Sequence, residues 1–116
     1  PKPLIIPSRH IFLNRKQHEG ESINAYLAEL RSLAMPCNYK QELLNTMLRD
    51  VFVSGLRDRA TLDRLFEEDD IDLERTVKIA LAMEKATQVA KRYDLISERC
   101  NNTAVLENSI LLNTIF

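Results

Sequence analysis

Between Arg15 and Cys37 the chain reads RKQHEGESINAYLAELRSLAMPC, and Ile23, Leu27, Leu30 and Ala34 recur there at the spacing of one helix face. The pattern begins just after Gly20. Glu21 and Ser22 stand where an acid complements the helix dipole and a hydroxyl caps open N–H groups. It stops at Pro36, which has no N–H to give a helix interior. Two further blocks follow, LLNTMLRDVFVSGL from Leu43 to Leu56 and DIDLERTVKIALAMEKA from Asp70 to Ala86. An all-β domain would need more turn glycines and more β-branched residues. The expected fold is therefore all-α, a small bundle of about four to five helices.

Composition agrees with that class. The 116 residues suit one domain with a modest core, and two glycines, no tryptophan and 6% aromatics suit helices of Leu, Ala, Met and Ile. Sixteen basic and 17 acidic residues give a net charge of −1. That balance lacks the footprint of a protein that grips a nucleic-acid backbone, so no direct nucleic-acid binding is expected. Apolar runs are too short for a membrane span, and no secretory signal is visible. Without an initiator Met, the chain is expected to be a piece of a longer protein. Cys37 and Cys100 are far apart, with no CxxC spacing, and His10 and His18 lie together near the start. Reduced thiols in a cytoplasmic setting are expected, with no metal and no cofactor.

Along the chain, PKPLIIPSR holds three of the four prolines and reads as an extended lead-in. Ser8 is placed to cap a short helix through Arg15 with Ile11 and Phe12 inward, or the segment stays extended. A loop from Cys37 to Lys40 precedes a helix over Gln41 to Ser54, with Leu44, Leu48 and Val51 facing the core and Gly55 as a left-handed stop. A short helix over Asp58 to Phe66 carries Leu62, Leu65 and Phe66, and the acids from Glu67 to Asp70 make a solvated turn. Asp72 caps a long helix with Leu73, Val77, Ala80 and Leu81 on one face. Glu84 falls on that same face, so the helix is expected to leave the core there and run to about Tyr93 or Glu98, with an interruption at Asn101 and Asn102.

The three blocks, in this order and at these separations, resemble the capsid part of Gag from Gypsy-type LTR retrotransposons. Gln17, Glu21, Ile23 and Tyr26 can be laid on the motif at the head of the retroviral capsid C-terminal domain. Gly20-Glu21-Ser22 matches the Gypsy-type Gly-Glu-Ser variant, and the Met-Leu-Arg-Asp of the second block and Leu-Glu-x-x-Val of the long helix resemble it too. The resemblance covers Pro3 to about Tyr93. It implies a retroviral capsid C-terminal-domain-like bundle over residues 1–100. It also implies a polar network of Gln17, Glu21, Tyr26 and Arg31, with Arg31 or Arg15 neutralising Glu21. The zinc knuckle usual downstream in that group is missing, because only Cys100 and no histidine follow Tyr93.

The function that the resemblance implies is structural and non-catalytic: a homodimer or higher oligomer contributing to a virus-like particle. No protease triplet occurs, and Ser22 and Ser54 have no histidine at suggestive spacing, so an enzyme is not expected. The dimer seam is expected on the second helix, at Leu43, Met47 and Phe52. The apolar tail, residues 101–116, is expected to dock through Leu106, Ile110, Leu111 and Ile115 on its own bundle or on a neighbouring copy. The alternative is a domesticated Gag module that binds a host protein or dimerises within one. The two readings share a fold and differ only in the partner.

Overall fold

A computed structural model describes residues 4–115, with side chains described from 4 to 97. Helices α1 (Ile5–Leu13), α2 (Ile23–Ala34), α3 (Gln41–Gly55), α4 (Arg59–Phe66) and α5 (Leu73–Ile115) follow in order, with a 3-10 turn at Met35–Cys37. The fold is all-α, as the periodicity predicts. Two compact units divide the chain, Pro1–Glu84 and Lys85–Phe116.

Three helices begin on a side-chain cap, and α2 also ends for a local reason. Ser22 Oγ accepts from the Ala25 N–H at 3.1 Å and starts α2, and Pro36 ends it as one turn of 3-10 helix. Asn38 then takes a left-handed conformation, φ 54°, and the chain reverses into α3. Asp58 caps α4 by accepting from the Thr61 N–H and hydroxyl at 3.1 and 2.7 Å. Asp72 caps α5 through the Arg75 N–H at 2.8 Å.

The lead-in differs from expectation. α1 starts at Ile5, not at Ser8, and Ser8 donates its N–H to the Leu4 carbonyl as an ordinary member of the first turn. Pro7 fits inside that turn because its missing N–H would have had no helical partner. Phe12 is fully buried, but Ile11 is 56% exposed, so only one of the two turns inward.

The core of the first unit joins Phe12, Tyr26, Leu30, Leu48, Phe52 and Ala80, all below 2% exposed, with Ile23, Val51, Leu65, Leu73 and Ile79 around them. A buried Leu or Phe of this kind contributes about 1.5–3 kcal/mol. Ile79 belongs to a second buried row on α5 beside Leu73, Thr76, Val77 and Ala80, which the single predicted face omits. Phe66, expected among the core residues of α4, is 63% exposed.

α5 carries on through Asn101 and Asn102 to Ile115, where the sequence places an interruption. The tail residues Leu106, Ile110, Leu111 and Ile115 lie outside the residues whose side chains are described.

Candidate functional site

A polar strap of residues 15–21 lies between the end of α1 and the start of α2, and it carries two of the four candidate motif residues, Gln17 and Glu21. Its sharpest bend is at Gly20, φ +77°, a conformation that side chains rarely adopt. The bend lets the Glu21 carboxylate turn back along the strap, where Arg15 grips it with two parallel bonds of 3.0 and 2.7 Å. Glu21 also accepts from the His18 N–H at 3.0 Å. The Arg15 bond, more than any other influence, holds the Glu21 carboxyl below the usual carboxylate range, although burial opposes it. The same bond raises Arg15 in turn. Arg15 further donates to the Lys16 carbonyl and lies over the Tyr26 ring, 5.8 Å from its centroid.

Gln17 uses both ends of its amide. Nε2 donates to the Glu21 carbonyl at 2.8 Å, and Oε1 accepts from the Arg57 N–H at 3.1 Å. Its own N–H donates to the Gly55 carbonyl at 2.9 Å. Tyr26 reaches the same end of α3 from inside the core: its Oη donates toward the Phe52 and Val51 carbonyls at 3.0 and 3.2 Å. A helix leaves its last four carbonyls without partners. Two of those at the α3 end, Phe52 and Gly55, are therefore satisfied by Tyr26 and by the strap. Burial pushes the Tyr26 phenol well above its ordinary range and keeps it protonated as a donor.

Gly55 has a different task from the one its sequence position implies. It is the last residue of α3 and does not adopt a left-handed φ. A Cβ there would fall on Tyr26 Oη and lie 2.8 Å from the Arg15 carbonyl oxygen. Glycine is needed because the strap, α2 and α3 converge on one point.

Arg31 stands apart from this cluster. It is exposed and borders two grooves, one with Met35, Tyr39 and Leu44 and one with Leu73 and Val77. The role expected of it at Glu21 is taken by Arg15. The α2 start has a contributor that sequence reasoning missed: Glu84, 61 residues away, accepts from the Ile23 N–H at 2.8 Å. α5 does leave the core there, with no buried residue from 85 to 97, but Glu84 itself is half-buried and engaged at its edge. An acid on an apolar helix face signals either exposure or a buried donor, and only the packed structure distinguishes them.

No family profile, curated protein or solved structure matches this chain.

The residues expected at the dimer seam do not share one surface. Leu43 is 51% exposed on α3, and Met47 is half-buried and packs on the core. Phe52 is 0% exposed and stacks on Tyr26 with centroids 5.4 Å apart, so it cannot form part of a seam on the folded unit. α3 turns Phe52 inward because α2 covers it, through Tyr26, on a side that a single-helix wheel leaves open. Among the described residues no cluster of His, Cys, Asp or Glu is arranged to hold a metal, and no helix is long and apolar enough to cross a membrane. Cys37 is buried, donates its thiol to the Leu33 carbonyl at 3.3 Å and is pushed up by that burial.

Proposed function

We propose that this chain is a non-catalytic self-association domain of a Gag-like capsid protein, forming dimers and, through them, a virus-like shell. The observation that carries the reading is the convergence of Gln17, Glu21 and Tyr26 on the strap and the α3 end. Those are the positions that resemble the capsid motif, and their polar atoms are engaged in holding backbone in place. Such a strap serves rigidity. It fixes the angle between α2 and α3, and a surface that must repeat identically in every copy of an assembly needs that angle fixed.

The seam we assign is the exposed edge of α3 at Leu43, with Met47 behind it. Light scattering across a concentration series tests this. The unaltered chain is expected to pass from monomer to dimer by high micromolar concentration. Leu43→Asp is expected to shift that transition upward and leave the melting temperature nearly unchanged, because half of that side chain is already in water. A chain that stays monomeric throughout favours the alternative, a domesticated module whose partner is a different protein.

A further inference from the structure

The charges of this nearly neutral chain are segregated. From Pro1 to His18 there are four basic residues and no acidic one, and from Asp63 to Glu74 there are seven acidic residues and one basic. Each stretch also exposes apolar side chains that the core leaves unused. On α1, Phe12 is the anchor in the core, while Ile6 and Leu13, seven residues apart, form a line that is 83% and 44% exposed. Arg9 and His10 flank that line, each three residues from one of the pair and four from the other. No carboxylate among the described residues pairs with Arg9 or with the exposed Lys16 beyond the helix end.

The acidic stretch borders a groove of about 510 Å³ between α3, α4 and the turn before α5. Val53, Leu65, Phe66 and Ile71 are its apolar lining, and the exposed Phe66 stands on it. Asp50, Glu68, Asp69 and Asp70 line it as well, against one guanidinium, Arg49. Arg49 binds Asp50 and Asp70, and Arg64 binds Glu68, which leaves Asp69 without a cation among the described residues. Lipid headgroups and nucleic acids are anionic and would be repelled here; an apolar segment edged with cations fits. The chain itself presents such a segment on α1, which in its own copy packs on α2 and the Met35–Cys37 turn. We infer that the Ile6–Leu13 face of α1 docks into this groove on a second copy of the chain. The face and the groove share no residue, so the contact is head-to-tail, and each bound copy keeps one surface open for the next. The inference rests on the self-association reading and deepens it. A two-fold seam at Leu43 closes after two copies, and a shell needs a further contact that does not.

The full chain carrying Leu43→Asp, which removes the α3 edge, tests this by sedimentation velocity. Its remaining association is expected to weaken at least about tenfold with Ile6→Asp or with Phe66→Asp, since each puts a charge where an apolar contact is buried. Both side chains are exposed, so the melting temperature is expected to stay nearly unchanged. Asp69→Lys is expected to weaken it too, and raising sodium chloride from about 0.05 to about 0.5 M is expected to weaken the parent but not this variant. The Ile6→Asp chain keeps a sound groove and the Phe66→Asp chain a sound α1 face. Mixed together they are expected to form a one-to-one dimer that grows no further, as only a head-to-tail contact allows. A mixture that stays monomeric overturns the docking. Association that ignores both substitutions, or a Leu43→Asp chain that is already monomeric while the unaltered chain dimerises, overturns the docking and leaves self-association standing. An unaltered chain that is monomeric at high micromolar concentration overturns both. A monomer that loses retention on phosphatidylcholine–phosphatidylserine vesicles with Ile6→Asp, but not with Phe66→Asp, assigns the α1 face to a lipid surface and overturns docking between copies.

Discussion

At the scale of single residues, Glu21 is an acceptor for a guanidinium and a backbone N–H at once. Glu21→Ala is expected to cost on the order of 1–3 kcal/mol, because Arg15 and the His18 N–H then lose their acceptor in a partly buried place. Chemical denaturation of the two proteins reads this directly. The acid dependence has a definite sign. Glu21 sits below its unfolded value of about 4.3, so its contribution is complete above that pH and fades as the pH falls through the folded value. The gap in melting temperature between the native chain and Glu21→Gln is therefore expected to be widest near neutrality and to narrow as the pH falls below the unfolded value of about 4.3. Gly55→Ala is expected to destabilise by about 1–3 kcal/mol through overpacking against Tyr26 and the Arg15 carbonyl. In the Tyr26→Phe background the added cost of that change is expected to shrink, because one of the two obstructing atoms is gone. Equal costs in both backgrounds would show that the Arg15 carbonyl alone sets the limit.

Among elements, the start of α2 is held from two sides, by its own Ser22 and by Glu84 of α5. The first contact is local and the second reaches across the unit. A carboxylate there also complements the positive end of the helix. Glu84→Ala is expected to cost about 0.5–2 kcal/mol, the range for losing a helix cap. Hydrogen exchange at the Ile23 amide is expected to quicken more than exchange in the middle of α3. Were the Ile23 amide no less protected in the variant, the contact would carry no weight in solution. Arg49 works in the same way at the other end of the unit, tying α3 to the turn before α5 through Asp70 and the Ile71 carbonyl, each at 2.8 Å. Asp70 is 85% exposed, so solvent screens that ion pair and it adds little stability.

For the whole molecule, the core closes within the first compact unit, whose last residue supplies the Glu84 cap. A chain ended after Ala86 keeps the strap, the α3 edge and that cap. It is expected to melt in one cooperative transition close to that of the full chain. Failure of the shortened chain to fold would show that the second unit contributes to the core. Calorimetry on the two lengths decides between these outcomes.

The helical class, most helix starts and the stop at Pro36 were legible from the residues alone. Caps and prolines act on neighbours a few positions away, and the 3.6-residue period is a property of one segment. Ser22, Asp58 and Asp72 bond to N–H groups three residues on, so no other element is needed to place them. Resemblance to a known motif brought Gln17, Glu21 and Tyr26 forward as a group. The end of α3 as partner of Gln17 and Tyr26 came only with the fold, which also chose Arg15 from the two arginines offered for Glu21. The same holds for Phe52, which a helix wheel leaves on a flank and α2 covers. Gly55 is a glycine because two other segments meet on it, not because its own φ demands one. Each of these depends on how two helices approach, and that angle is fixed by packing between residues distant in the chain. Local sequence determines where most helices begin and which stripe is apolar. Tertiary contact decides which of the remaining side chains are buried and which polar groups find a partner.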